Sequence, residues 1–285
     1  MSKSTHFIGQ PLLGQLLSLI DQVDVHRISK KHGGEHYVKH FDAWHHLVTM
    51  LYAIIMRFDS LREIQLSMTA ESRKLSHLGL TKIPKRSTLS DANVRRSEVI
   101  FGELYATLYD KHKGVLSSDS RNRGSTPSWL RKLKIMDSTT ISLFSNLVFK
   151  WVGRNPKRGK KKLISLLTND FEMPQQDIIA IYRKRWMIET LFRQLKQNFP
   201  LRYFYGESAN AIKIQVWCTL IANLLLMLIK CSVRRSWSFS GLATMIRILM
   251  MYYVNYKSIL EYPEKDWDVR IEELIRPPDH RTLFN

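Results

Sequence analysis

The chain has 285 residues, with 44 Lys plus Arg against 25 Asp plus Glu, a formal net charge of +19. A hydrophobic content of 44% and a charged content of 24% exclude a mainly disordered chain and suit about two domains. Two cysteines, Cys218 and Cys231, exclude a disulfide scaffold and a zinc ribbon and fit a reducing compartment.

The first residues, MSKSTHFIGQ, have no charged stretch followed by an apolar core, so no signal peptide is expected. So large a positive charge points to a polyanion partner, nucleic acid foremost. A basic surface kept for solubility is the plainer alternative. The excess is uneven: residues 1–130 carry 18 basic and 12 acidic side chains, and residues 131–285 carry 26 and 13. The C-terminal half is therefore expected to face the polyanion.

In chain order, the N-terminal third reads as helical. Leu12, Leu13, Leu16, Leu17 and Ile20 follow a helical stripe, as do Trp44, Leu47, Val48, Leu51 and Ile55. Ser60 and Glu63 have capping-box spacing and start a helix. Ser87-Thr88 opens another, with Val94, Phe101, Leu104 and Leu108 on one face and Gly114 as its stop. Residues 114–130 are rich in Ser, Gly and Arg and read as a loop. Three β-prone runs follow, at 134–141, 147–152 and 162–168, with a turn signal at Asn155-Pro156. After Pro174 the pattern is helical to about residue 260. Residues 216–229 are the most apolar run, short of the roughly 20 residues of a membrane span, so a buried helix is expected and no membrane.

Four features could carry chemistry. Asp137 sits within a β-prone run, where a carboxylate must be hydrogen-bonded or hold a metal, unless it makes only local turn bonds at a strand end. On a helix, Arg185, Glu189 and Lys196 fall at about −60°, −20° and −40° from Tyr182. That stripe lies beside an apolar one of Ile181, Ile188, Leu191 and Leu195. From spacing alone it reads as a solvated face with salt bridges, and a metal-binding carboxylate flanked by phosphate-binding cations is the alternative. The run 153–162 holds six basic residues in ten, suited to phosphate contact or to a solvated turn. His32, His36 and His40 recur every four residues, but Gly33-Gly34 argues against the single helix that a metal site would need there.

Tyr182-x2-Arg185-x3-Glu189-x6-Lys196 resembles the Tyr-Arg-Glu-Lys signature of DDE transposases of the insertion sequence four family. Leu-Leu-Thr-Asn-Asp170 before it, and Phe204-Tyr-Gly206 with Gln215-x-Trp217 after it, are similar to that family as well. Ile135-Met-Asp137-Ser-Thr-Thr resembles its first catalytic strand. Gln15-Leu-Leu, Tyr37-Val-Lys39, Ser60-Leu-Arg-Glu63, His77-Leu-Gly79 and the run Arg86 to Asn93 resemble a helical domain that precedes the catalytic domain in one branch. The resemblance implies a mainly α chain with a small β remnant: a helical N-terminal domain (1–75), a helical, DNA-binding segment and linker (76–130), and a truncated RNase H-like α/β catalytic domain (131–285). It implies Mg²⁺ or Mn²⁺ held by Asp137 and Glu189, and phosphodiester cleavage and strand transfer at insertion-sequence ends. Tyr182, Arg185 and Lys196 would position the DNA end, and Arg154, Lys157, Arg158, Lys160, Lys161 and Arg193 would contact phosphates. The implied partners are double-stranded DNA at transposon ends and target, and a second copy or a full-length transposase. The implied location is the bacterial cytoplasm, at the nucleoid.

The pattern departs from the family at one point. Asp137 and Glu189 lie 52 residues apart, and nothing between them matches the family's second Asp. An internal deletion with its junction near Lys160–Lys162 accounts for this and predicts impaired cleavage. Asp170 is the nearby spare carboxylate. The competing readings are a non-catalytic DNA-binding regulator or inhibitor of transposition, and a decayed frame that folds poorly.

Overall fold

The computed structural model describes residues 10–76, 78–80, 82–116, 148–154, 161–167 and 174–264. The described part is mainly helical, with one β-hairpin. It divides into two compact units: Met1–Ser118 with Gln194–Asn285, and Asp119–Arg193. The sequence pattern by itself groups everything after residue 131 together.

The first unit opens with α1 (Leu12–Leu17), whose four leucines are all buried. Its first amides, orphaned at any helix start, donate to carbonyls far along the chain. Leu12 N–H meets Tyr252 O and Leu13 N–H meets Met250 O, both at 2.9 Å. The Gln15 amide adds a bond to Val254 O at 2.6 Å. The two ends of the unit are thus stitched together through main chain.

Next come α2 (Gln22–Lys31), α3 (Ala43–Met56), α4 (Leu61–Ala70) and α5 (Ser72–Ser76). Asp21, Asp42 and Ser60 cap the first three, each accepting from an amide of the first turn. The expected capping box forms in a shifted version: Ser60 Oγ accepts from Glu63 N–H, while the Glu63 carboxylate accepts from Asp59 N–H at 3.0 Å. All five residues of the Trp44–Ile55 stripe are buried, as patterned.

The helix expected from Ser87 to Gly114 is two helices, α6 (Arg86–Arg95) and α7 (Val99–Leu116), and Gly114 lies inside the second. The break has a local cause. Arg96 adopts an extended backbone with ψ 127°. The freed carbonyls of Asn93 and Arg96 both accept from the Asn210 side chain at 2.8 Å, and Glu98 N–H donates back to Asn210 Oδ1 at 3.1 Å. One amide therefore closes the end of α6 and opens α7. Asn210→Ala is expected to cost about 2 kcal/mol, read as a lower urea midpoint at constant slope.

After α8 (Gln175–Asn198) the chain forms α9 (Ala209–Ser232), α10 (Phe239–Leu249) and α11 (Tyr256–Glu261). Helix α9 is the centre of the first unit and packs against α3, α6, α7 and α10. Gly102 of α7 sits where a Cβ would lie 3.0 Å from the Trp217 indole, so a side chain there would need the ring to give by a few tenths of an ångström. At 24 residues α9 is longer than the 14-residue apolar run within it, and it is long and apolar enough to cross a bilayer. However, 67% of its most apolar window is buried inside the protein, the burial of a core helix.

In the second unit, β1 (Val148–Arg154) pairs antiparallel with β2 (Lys161–Leu167), Val148 opposite Leu167 and Arg154 opposite Lys161. Two of the three expected β runs are thus a hairpin. The third, 134–141, lies outside the described residues, as does the turn between the strands. An RNase H-like sheet is not among the described elements.

Candidate nucleic-acid interface

Helix α8 runs unbroken for 24 residues and carries the whole Tyr-Arg-Glu-Lys spacing. No glycine or proline interrupts it, and Pro174 immediately precedes it. Its periodicity sets Tyr182, Arg185, Glu189 and Lys196 along one side over four turns. Tyr182 and Glu189 are half-buried, while Arg193 and Lys196 are exposed. The division between the two units falls within this helix, between Arg193 and Gln194. Of the expected apolar stripe, Leu195 is buried at 4% exposure, whereas Leu191 is 36% exposed.

The C-terminal turns of α8 are held firmly in the first unit. Gln194 donates to Asn223 Oδ1 of α9 at 2.6 Å. The Asn198 amide closes back on Gln194 O at 2.8 Å. Phe199 is buried edge-on to Phe239, with ring centroids 6.3 Å apart. The Arg247 guanidinium donates to Ile55 O at 2.9 Å and to Asn198 O at 3.4 Å, and its burial lowers its pKa.

The loop that leaves α8 is shaped by one side chain, Gln215, which is fully buried. Its amide nitrogen donates to Pro200 O at 3.0 Å and Tyr203 O at 2.8 Å, and its oxygen accepts from Tyr205 N–H at 2.8 Å. Tyr205 is buried and its hydroxyl donates to Phe58 O at 2.7 Å; burial raises its pKa. A Cβ at Gly206 would lie 2.8 Å from Ala211 Cβ, so glycine is needed for the loop to meet α9. Trp217 Nε1–H donates to Glu98 Oε2 at 2.8 Å. The Phe-Tyr-Gly and Gln-x-Trp stretches are therefore parts of one folded junction behind α8. Arg202, Tyr203 and Phe204 stay exposed on its outer side.

Of the other site residues named from sequence, Arg154 and Lys161 are cross-strand partners in register. Asp137, Asp170, Lys157, Arg158 and Lys160 lie outside the described residues. Among the described residues no three His, Cys, Asp or Glu side chains gather as a metal site. His32 is engaged by Glu103, at 2.7 Å, rather than by His36 or His40.

Residues 8–81 match a family described as a domain of unknown function, DUF4372, roughly a quarter of the chain. Curated relatives carry transposase names, and the similarity ties part of this chain to proteins of insertion sequences. The protein named as transposase y4zB of Sinorhizobium fredii is 44% identical over 70 residues, 25% of this chain and 20% of that protein. The protein named as the transposase for insertion sequence element IS4SA of Synechocystis is 41% identical over 54 residues, 19% of this chain and 16% of that protein. The protein named for element IS5377 of Geobacillus stearothermophilus is 33% identical over 63 residues, 22% of this chain and 17% of that protein. The chain thus spans about a fifth or less of the length of these relatives. No solved structure matches significantly.

Proposed function

We propose that the chain is a transposase-family protein of a bacterial insertion sequence that binds double-stranded DNA at the element's ends and at its target. The observation that carries this is the unbroken helix α8, which holds Tyr182, Arg185, Glu189 and Lys196 at the spacing of the insertion sequence four signature. The net charge of +19 and the local similarity to transposases support it. In this reading Glu189 and Asp137 are catalytic carboxylates of an RNase H-like domain. Arg185, Lys196 and Tyr182 hold the DNA end, and Arg193 and the basic hairpin hold phosphates. The protein acts in the bacterial cytoplasm, at the nucleoid, as a dimer or mixed with a full-length transposase.

The donor set does not fit a two-metal centre. Such a centre needs carboxylates enough to bridge two ions roughly 4 Å apart. Asp137 and Glu189 are two, and the interval between them, shortened near Lys160–Lys162, supplies no second Asp of the family pattern. Cleavage through Mg²⁺ or Mn²⁺ is accordingly impaired. The missing carboxylate also favours a second reading, a DNA-binding regulator that occupies transposon ends without cutting them.

The test is labelled duplex carrying the element's ends, incubated with the protein in Mg²⁺ or Mn²⁺ beside Asp137→Asn and Glu189→Gln. Salt-sensitive binding without cleavage is the expected result. Cleavage abolished by both substitutions would show a third carboxylate recruited and overturn the impairment. Absence of any duplex binding would overturn the DNA reading itself.

A further inference from the structure

In the first unit, the connection from α2 to α3 lies against α6 and leaves an open cleft of about 560 Å³. Tyr37, Lys39 and His40 line it from the connection; Asp91, Arg95 and Arg96 line it from α6 and its C-cap. None of these residues belongs to the α8 site.

Arg96 is the unusual member. It is 5% exposed. Its Nε donates to Gly34 O at 3.3 Å and one terminal nitrogen to Phe41 O at 2.8 Å. Its other terminal nitrogen, Nη1, is buried without an acceptor. Among the described residues no carboxylate forms an ion pair with it. A guanidinium keeps its proton, so the cleft is built on a buried positive charge with no bonded counter-anion; Glu35 and Asp42 offset it only through space, which leaves room for an anion in the cleft to bond it.

The rim adds to that charge. Lys39 is exposed. Arg95 is 79% exposed and paired with Asp91 at 2.9 Å, a surface pair of small worth that an incoming phosphate can exchange. Tyr37 is fully exposed and holds φ at 57°, a left-handed backbone that is uncommon for an aromatic residue. Its ring leans edge-on against His36, with centroids 5.9 Å apart. A bare aromatic ring beside cations on two walls of an open cleft suits the sugar and phosphate of a polymer backbone better than a small enclosed anion.

We propose that this cleft is a second DNA contact, in which Lys39 and Arg95 bind backbone phosphate over the Arg96 charge and Tyr37 packs on the adjoining sugar or base. The assignment rests on the DNA-binding reading above. The test is anisotropy of a labelled duplex carrying the element's ends, titrated with the full chain across a salt series. The double variant Lys39→Gln/Arg95→Gln removes two exposed rim cations and leaves the buried Arg96 bonds untouched; its thermal melt confirms the fold. The log–log salt slope is expected to shrink by about 1.8, roughly 0.9 for each phosphate no longer neutralised, with affinity at fixed salt reduced tenfold or more. Tyr37→Ala is expected to weaken binding with the slope unchanged. A wild-type duplex complex whose slope survives the double substitution would overturn the cleft and leave the DNA reading standing. A wild-type chain that binds no duplex, yet is thermally stabilised by inorganic phosphate only when Lys39 and Arg95 are present, would overturn it as a DNA contact and mark a small-anion site.

Discussion

Replacing Gln215 with leucine is expected to destabilise the protein by at least about 3 kcal/mol, a large part of the 5–15 kcal/mol that holds a typical domain together. Leucine nearly matches glutamine in size, so the loss is polar. Pro200 O, Tyr203 O and the Tyr205 N–H would all lose their partner, and each buried orphan costs about 1–3 kcal/mol. Water cannot readily replace the amide, because Gln215 is completely buried in α9. The loop from 200 to 206 then detaches from the helix, taking with it the buried end of α8 at Asn198 and Phe199. In chemical denaturation the midpoint should fall steeply with little change of slope. A midpoint within experimental error of wild type would mean that the loop is held by Tyr205 and Phe199 packing alone. On the proposed function the loss also reaches duplex binding, which should weaken in the variant because the C-terminal end of α8 is no longer fixed.

The parts of this fold that are legible in the sequence are those whose causes are local. The leucines of α1 and the Trp44–Ile55 stripe declare their buried face by spacing alone, and Ser60 with Glu63 declares a helix start. The hairpin is readable because β-prone runs flank Asn155-Pro156. The break between α6 and α7 is hidden, because the group that stabilises it, Asn210, lies 117 residues from Asn93. With the break unseen, periodicity puts Val94 on the core face, yet it is 56% exposed; α6 instead turns Leu89 and Asn93 inward. The α8 motif is legible as one helix that carries the four residues at helical spacing. The depth at which its end is bolted into the core is not, since Gln194 and Asn223 carry no signal until both helices are in place. The cleft at Arg96 leaves no trace in the sequence, because nothing in the pattern says that a buried arginine will find carbonyls rather than a carboxylate.

Acidification from pH 7 to pH 5 is expected to remove about 2 kcal/mol of stability through His46 alone. This imidazole is completely buried in α3. Its Nε2–H donates to Asn93 Oδ1 at 2.8 Å, which leaves Nδ1 as a lone pair with no donor beside it. Burial, and then the nearby Arg96 charge, push its pKa down to about 3. The unfolded chain takes up a proton near 6.5 and the folded one does not, so stability is whole above the unfolded value and drains away as pH falls toward the folded one. His45 next door works the other way. Its Nδ1 meets Asp42 at 2.6 Å, and that bond raises its pKa. Its contribution is complete below the unfolded value and is lost as pH rises through the folded one. Half-buried, it offsets only a part of the His46 effect. Urea unfolding at pH 7 and pH 5 separates the two: His46→Gln should flatten the pH dependence, and His45→Ala should steepen it. Below about pH 5 the carboxylates begin to titrate, so the window is confined to the histidines. A wild-type chain equally stable at both pH values, or a His46→Gln variant with the wild-type slope, would show that His46 accepts its proton in the folded state. The new Nδ1–H would then need an acceptor where none now lies, while the Nε2–H bond to Asn93 is kept.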